Sequence, residues 1–130
     1  MTIAATSPEH AVELLDQDFN EDNLDAVLSF YEDAAVVAPQ PHRIARGTGG
    51  LRAFFVEAMR SRPSAKQIKT RVLEADGIAL FLSRWTLVPK DGSSANATMF
   101  VATTVFRRQP DGHWKILIDN PLGPILLDAN

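Results

Sequence analysis

Three Asp-Gly pairs, Asp76-Gly77, Asp91-Gly92 and Asp111-Gly112, punctuate the second half of this chain and constrain its architecture more than any other feature. Asp-Gly supplies the positive φ angles that tight hairpin turns demand. From Lys66 onward the segments between these pairs carry the period of two that marks strands. Ile68, Thr70 and Val72 fall on one side, with Lys69 and Arg71 on the other. Strands are then expected over Ile78 to Val88, Thr98 to Arg108 and His113 to Asn120, with turns at Lys90–Ser94 and Pro110–Gly112. Four long strands joined by short turns are antiparallel neighbours, a meander.

The first half has a different period. Ser7-Pro8-Glu9 is a helix start: a hydroxyl cap, proline in the first turn, then an acid at the positive end. Val12, Leu15 and Phe19 continue it as one apolar stripe, which Asn20-Glu21-Asp22 interrupts. Leu24, Val27, Leu28 and Tyr31 recur at i, i+3, i+4 and i+7, which predicts a second helix. A short strand follows over Ala34 to Ala38, stopped by Pro39 and Pro41, and Pro39 to Gly47 reads as a loop. A third helix begins at Thr48 or Gly49, carries Leu51, Phe54, Phe55, Ala58 and Met59 on one face, and ends at Ser61-Arg62-Pro63-Ser64. The order α-α-β-α-β-β-β-β is α+β, because helices and strands do not alternate. Three amphipathic helices suffice to cover one face of the sheet, and a sheet curled around them has room for a blind apolar pocket.

Composition narrows the chemistry by exclusion. The 130 residues are expected to form a single domain over 1–130, large enough to fold without a metal or disulfide. The chain contains no cysteine, which removes disulfides, a thiol nucleophile and thiolate metal sites. A net charge of −3 gives no electrostatic case for nucleic acid or anionic membranes. Apolar runs such as Ile78 to Leu82 are too short to span a bilayer, and Met1 to Ala5 lacks the features of a signal peptide. A soluble, cytoplasmic protein is expected.

Three segments carry a family likeness. Phe106-Arg107-Arg108-Gln109-Pro110-Asp111-Gly112-His113-Trp114-Lys115-Ile116-Leu117-Ile118-Asp119-Asn120-Pro121 resembles the closing hairpin of the DUF4440 group of the SnoaL-like/NTF2-like superfamily. Phe30-Tyr31-Glu32-Asp33-Ala34-Ala35-Val36-Val37 resembles its second-helix-to-strand junction, and Arg46-Gly47-Thr48-Gly49-Gly50-Leu51-Arg52-Ala53-Phe54-Phe55 the start of its third helix. With the element order, the resemblance covers residues 8 to 122. It implies a ketosteroid isomerase-like conical barrel: a bent antiparallel sheet wrapped around three helices, with a pocket at the open end. It also implies a homodimer packed sheet face on sheet face. Isomerases, polyketide cyclases, dehydratases, ring-hydroxylase small subunits and binding proteins share this fold, so the resemblance leaves function open.

The isomerase chemistry can be tested residue by residue. It needs a carboxylate base and two acids that hydrogen-bond a developing enolate oxygen. The resemblance places the base at Ala38, the tyrosine near Leu15 and the protonated aspartate at Thr104, with Asp16 facing the opposite side of its helix. None of the three groups is present, so that mechanism is not expected.

Other residues remain as candidates. Strict alternation puts Trp114, Ile116, Ile118 and Asn120 on one face of the last strand and Lys115, Leu117 and Asp119 on the other. Because Lys115 favours water, the inward face is expected to end in Asn120, a hydrogen-bonding amide, leaving Asp119 either as a base or as a structural group before Pro121. His42, in the proline-rich loop, titrates near neutrality. Phe100, Ala102, Thr104 and Phe106 alternate and are expected to line the pocket with Tyr31. Only one of Arg84 and Trp85 can point inward; Arg84 shares its side with Leu80 and Leu82 and is the candidate for an anionic ligand or a paired rim charge. His10, His42 and His113 lack metal-ligand spacing, so no metal and no cofactor are expected. These readings favour a binding protein for a small apolar or aromatic ligand. The alternative is a cyclase, isomerase or dehydratase acting on a polycyclic or polyketide-like substrate, with Asp119 or His42 as base and Tyr31 or Asn120 holding the oxyanion.

Overall fold

The computed structural model describes residues 6–40, 43–60, 63–88 and 98–128. Helix α1 spans Pro8–Asn20; the Ser7 hydroxyl accepts the His10 backbone N–H at 3.1 Å, as the cap signal requires. Helix α2 is only Leu24–Leu28, and Tyr31 opens strand β1 (Tyr31–Gln40) instead of continuing it. The i, i+3, i+4, i+7 pattern through Tyr31 therefore misleads. At Phe30 the backbone carbonyl already accepts the Ile116 N–H at 2.8 Å, drawing the chain into the sheet.

The stretch read as a loop contains a further strand, β2 (Arg43–Arg46), which pairs antiparallel with β1. Helix α3 (Gly47–Met59) follows and buries Leu51, Phe55 and Met59. Strands β3 (Ser64–Ala75), β4 (Ile78–Val88), β5 (Thr98–Arg108) and β6 (Trp114–Asn120) form the expected antiparallel meander. Asp76 and Gly77 both have positive φ, 53° and 76°, the signature of the tight β3–β4 hairpin. The turn expected at Lys90–Ser94 lies outside the described residues. A 3-10 helix, Gly123–Asp128, closes the described chain.

The sheet order is β2-β1-β6-β5-β4-β3, and β1 runs parallel to β6. The sheet is thus mixed and unclosed, curved around the helices in an α+β arrangement. Val27, Ala35, Val37, Leu51 and Phe106 form the most deeply buried part of the core between helices and concave face. On the rim, Arg107 donates to Glu32 through Nε at 2.8 Å and Gln109 adds a bond at 2.9 Å, tying β1 to β5 across β6.

Two bulges decide which side chains face inward. In β6, Phe106 pairs with Ile116 while Val105 pairs with Ile118, so Leu117 is an extra residue and the alternation restarts after it. Ile118 points outward, 46% exposed, and Asp119 points inward. The expectation that the inward face ends in Asn120 is corrected by this bulge. In β3, Gln67 pairs with Trp85 and Lys69 with Arg84, so Ile68 is skipped. Ile68 consequently lies outside, 47% exposed, instead of sharing a face with Thr70 and Val72.

Candidate functional site

A cavity of about 460 Å³ lies between the helices and the concave sheet face. Helix α1 contributes Val12, Leu15, Asp16 and Phe19, which stand at i, i+3, i+4 and i+7 on a single stripe. The helix geometry thus turns Asp16 toward the cavity, correcting its expected outward placement. Phe54, Phe55 and Ala58 of α3 line a second side, and alternate residues of β3, β4 and β5 form the floor. Pro121 and Leu122 supply a last piece of wall. They are held there by Trp85, whose Nε1–H donates to the Pro121 carbonyl at 3.1 Å.

Two polar clusters interrupt these apolar walls. In the first, the Tyr31 hydroxyl donates to Asp119 Oδ2 at 2.6 Å, and the Thr104 hydroxyl donates to Asp119 Oδ1 at 3.2 Å. The parallel β1–β6 pairing and the β5–β6 register, Thr104 opposite Asp119, bring these three together. Burial raises the Asp119 pKa above the usual carboxylate range, and the two hydroxyl donors work against that rise by favouring the ionised form. Tyr31 is pushed well above the usual phenol value by burial and by the neighbouring Asp119 charge, so it keeps its proton and acts as donor.

In the second cluster, Gln67 Nε2 donates to Asp16 Oδ2 at 2.9 Å, and the Ser83 hydroxyl donates to Gln67 Oε1. Gln67 reaches Asp16 because the β3 bulge follows it directly. Burial raises the Asp16 pKa to about 6; the Gln67 bond lowers it and the Asp119 charge raises it further. The two carboxyl groups therefore face one cavity and feel each other.

The structure places the expected residues unevenly. Tyr31, Phe100, Ala102, Thr104 and Asp119 lie on the cavity wall. Phe106 shares their side of β5 but is buried in the core beneath the wall, against Phe81 with ring centroids 5.8 Å apart. Phe106 is thus corrected from cavity wall to core, and two further placements are corrected. Arg84 is exposed on the outer face, because it is Trp85 that points inward and stacks on Phe100 at 4.9 Å. Asn120 points away from the cavity, donating to the Thr103 hydroxyl at 3.1 Å and to the Gly123 carbonyl at 3.2 Å. His42 lies outside the described residues. Asp16, Gln67 and Ser83 were not foreseen; a carboxylate in the middle of the α1 apolar stripe is the signal that finds the first of them.

Among the described residues no group of three His, Cys, Asp or Glu side chains is placed to hold a metal ion. No described helix is long and apolar enough to cross a membrane.

No family model matches the chain, and no curated protein matches its sequence. Solved structures do match its fold. An NTF2-like protein of unknown function from Pseudomonas putida KT2440 is similar over 89% of this chain and 83% of its own, with TM-score 0.77 and 20% identity. A second, from Shewanella oneidensis MR-1, covers 86% of this chain and 93% of its own, with TM-score 0.71 and 16% identity. A candidate ketosteroid isomerase from Shewanella frigidimarina NCIMB 400 gives TM-score 0.72 at 15% identity, over 85% of this chain and 89% of its own. At these identities the likeness speaks to architecture, and the architecture of this chain is the NTF2-like fold.

Proposed function

We propose that this chain is a small-molecule binding protein whose cavity takes a compact apolar or aromatic ligand. The observation that carries this reading is the cavity itself: about 460 Å³, walled by aromatic and aliphatic side chains and interrupted by two defined polar clusters. That combination of size and lining is typical of ligand sites, which run to about 300–1,000 Å³. The test is titration with the neutral fluorescent probe N-phenyl-1-naphthylamine. Saturable binding that is lost when Ala102 is enlarged supports the reading; no binding by a folded protein counts against it. The DUF4440/SnoaL-like grouping and a cytoplasmic location belong to the same reading. So does a homodimer, because Leu80, Val101 and Ile118 on the outer sheet face are 38%, 40% and 46% exposed.

One observation favours an enzyme as the second reading. Asp16 combines a pKa near 6 with an oxygen, Oδ1, that accepts from no described residue. A base needs a free lone pair and a pKa near the working pH, and Asp16 offers both. Both Asp119 oxygens already accept hydrogen bonds, and the single Tyr31 O–H is committed to one of them. In an isomerase, cyclase or dehydratase reading, Asp16 is therefore the proton-transfer group. Asp16→Asn would then abolish turnover of a polycyclic ketone panel while leaving probe binding intact.

A further inference from the structure

We infer that the cavity takes a hydrophobic amine, its ammonium seated on Asp16 and Asp119 and its apolar body against the aromatic walls. This inference rests on the small-molecule reading above and names the ligand chemistry. It follows from counting the donors and acceptors that the walls leave unused.

The wall's hydrogens are nearly all committed. The Tyr31 and Thr104 hydroxyls donate to Asp119, the Ser83 hydroxyl to Gln67, and the Trp85 indole to the Pro121 carbonyl. Gln67 spends one N–H on Asp16, which leaves its second N–H and the Thr98 hydroxyl at the exposed rim. Acceptor capacity is what remains. Asp16 Oδ1 has no described donor, and each Asp119 oxygen has a lone pair beyond the one it uses. A ligand that offers only acceptors, such as a ketone or a carboxylate, finds few partners here.

Charge points the same way. Two carboxyl groups, one from α1 and one from β6, face the same cavity, and among the described residues that line it there is no lysine, arginine or histidine. Carboxylates withdrawn from water without a counter-charge are costly to keep ionised. An ammonium restores the charge balance and brings up to three N–H donors to oxygens with lone pairs to spare. Phe19, Phe54, Trp85 and Phe100 then provide an apolar surface for the body of the ligand, and aromatic faces also favour a nearby cation. An anionic ligand meets two like charges and no cationic partner among the described lining residues.

The test is calorimetric titration of the folded protein at neutral pH with matched phenylbutyl and naphthylbutyl compounds, each as amine, alcohol and carboxylic acid. The amines are expected to bind about tenfold tighter than the alcohols or better, and the acids weakest. Asp16→Asn is expected to remove most of that preference, lowering amine affinity far more than alcohol affinity. Circular dichroism confirms that the variant is folded, and Asp119→Glu serves as a second variant that keeps the charge and shifts its position. An alcohol that matches its amine, or a full amine preference surviving Asp16→Asn, overturns the amine inference and leaves the cavity reading standing. Failure of every compound to bind at millimolar concentration overturns both.

Discussion

The Tyr31 hydroxyl and Asp119 Oδ2 lie 2.6 Å apart, joining the first residue of β1 to the penultimate residue of its parallel neighbour β6. This bond gives a buried carboxylate a charge-assisted donor. Tyr31→Phe is expected to destabilise the protein by about 1.5–3 kcal/mol and to raise the Asp119 pKa further, because a donor to the ionised form is lost. Urea denaturation at neutral pH reads the first effect and carbon NMR titration of the carboxyl the second. An unchanged midpoint and titration curve would contradict this account.

Asp16 dictates an unusual pH profile. Its folded pKa is about 6 against an ordinary 3.8, so between those values the native state holds more protons than the unfolded chain. Stability contributed by this group is greatest below about 4 and declines as pH rises through 6. The shift corresponds to about 3 kcal/mol at most. Asp119, also raised, acts in the same direction. Glu32, lowered by Arg107, acts oppositely, its contribution being lost as pH falls through its folded value. Asp16→Asn is expected to flatten the profile between pH 4 and 6 and to raise stability at pH 7 by about 1–3 kcal/mol. Thermal denaturation across that range checks it.

Ala102 sits on the cavity floor opposite Ser83. Ala102→Leu fills space that the fold leaves empty, so probe affinity is expected to fall about tenfold or more, with a melting temperature close to that of the parent. Retained affinity would place the ligand elsewhere.

Gly123 has φ of 58°, and a Cβ there would run into the Val101 carbonyl oxygen. Gly123→Ala is expected to cost about 1–3 kcal/mol and to loosen Pro121 and Leu122, a wall of the cavity. Hydrogen exchange of residues 121–128 is the direct readout, and unaltered protection would count against the wall's dependence on this glycine.

The outer face supplies the remaining test. Leu80, Val105 and Ile118 align across β4, β5 and β6 by register. If this surface pairs two copies, Ile118→Lys is expected to convert a dimer to a monomer by light scattering. A parent protein that is already monomeric removes the basis for that dimer.

The meander is legible in the sequence because the β3–β4 and β5–β6 connections coincide with strong local turn signals, Asp76-Gly77 and Asp111-Gly112. Trp85, Phe100 and Ala102 could be placed inward or as alternatives by simple alternation. Asp119, Asn120 and Ile68 could not, because a bulge is set by pairing with a neighbouring strand and leaves no mark of its own in the residue pattern. Tyr31 reads as helical, since its spacing from Leu24, Val27 and Leu28 is that of a helix; long-range pairing of Phe30 with Ile116 overrides that local period. Asp16 was readable, as the fourth member of the α1 stripe, once helical position is given priority over polarity.

The extra residue at Leu117 has an evolutionary consequence. In an uninterrupted β6 ladder continued from the Phe106–Ile116 pair, Thr104 would face the alkyl side chain of Ile118 in place of the Asp119 carboxylate. Acid or alkyl group at the heart of the cavity is thus decided by strand register, and gain or loss of this one bulge would exchange them while every side chain stays encoded as before.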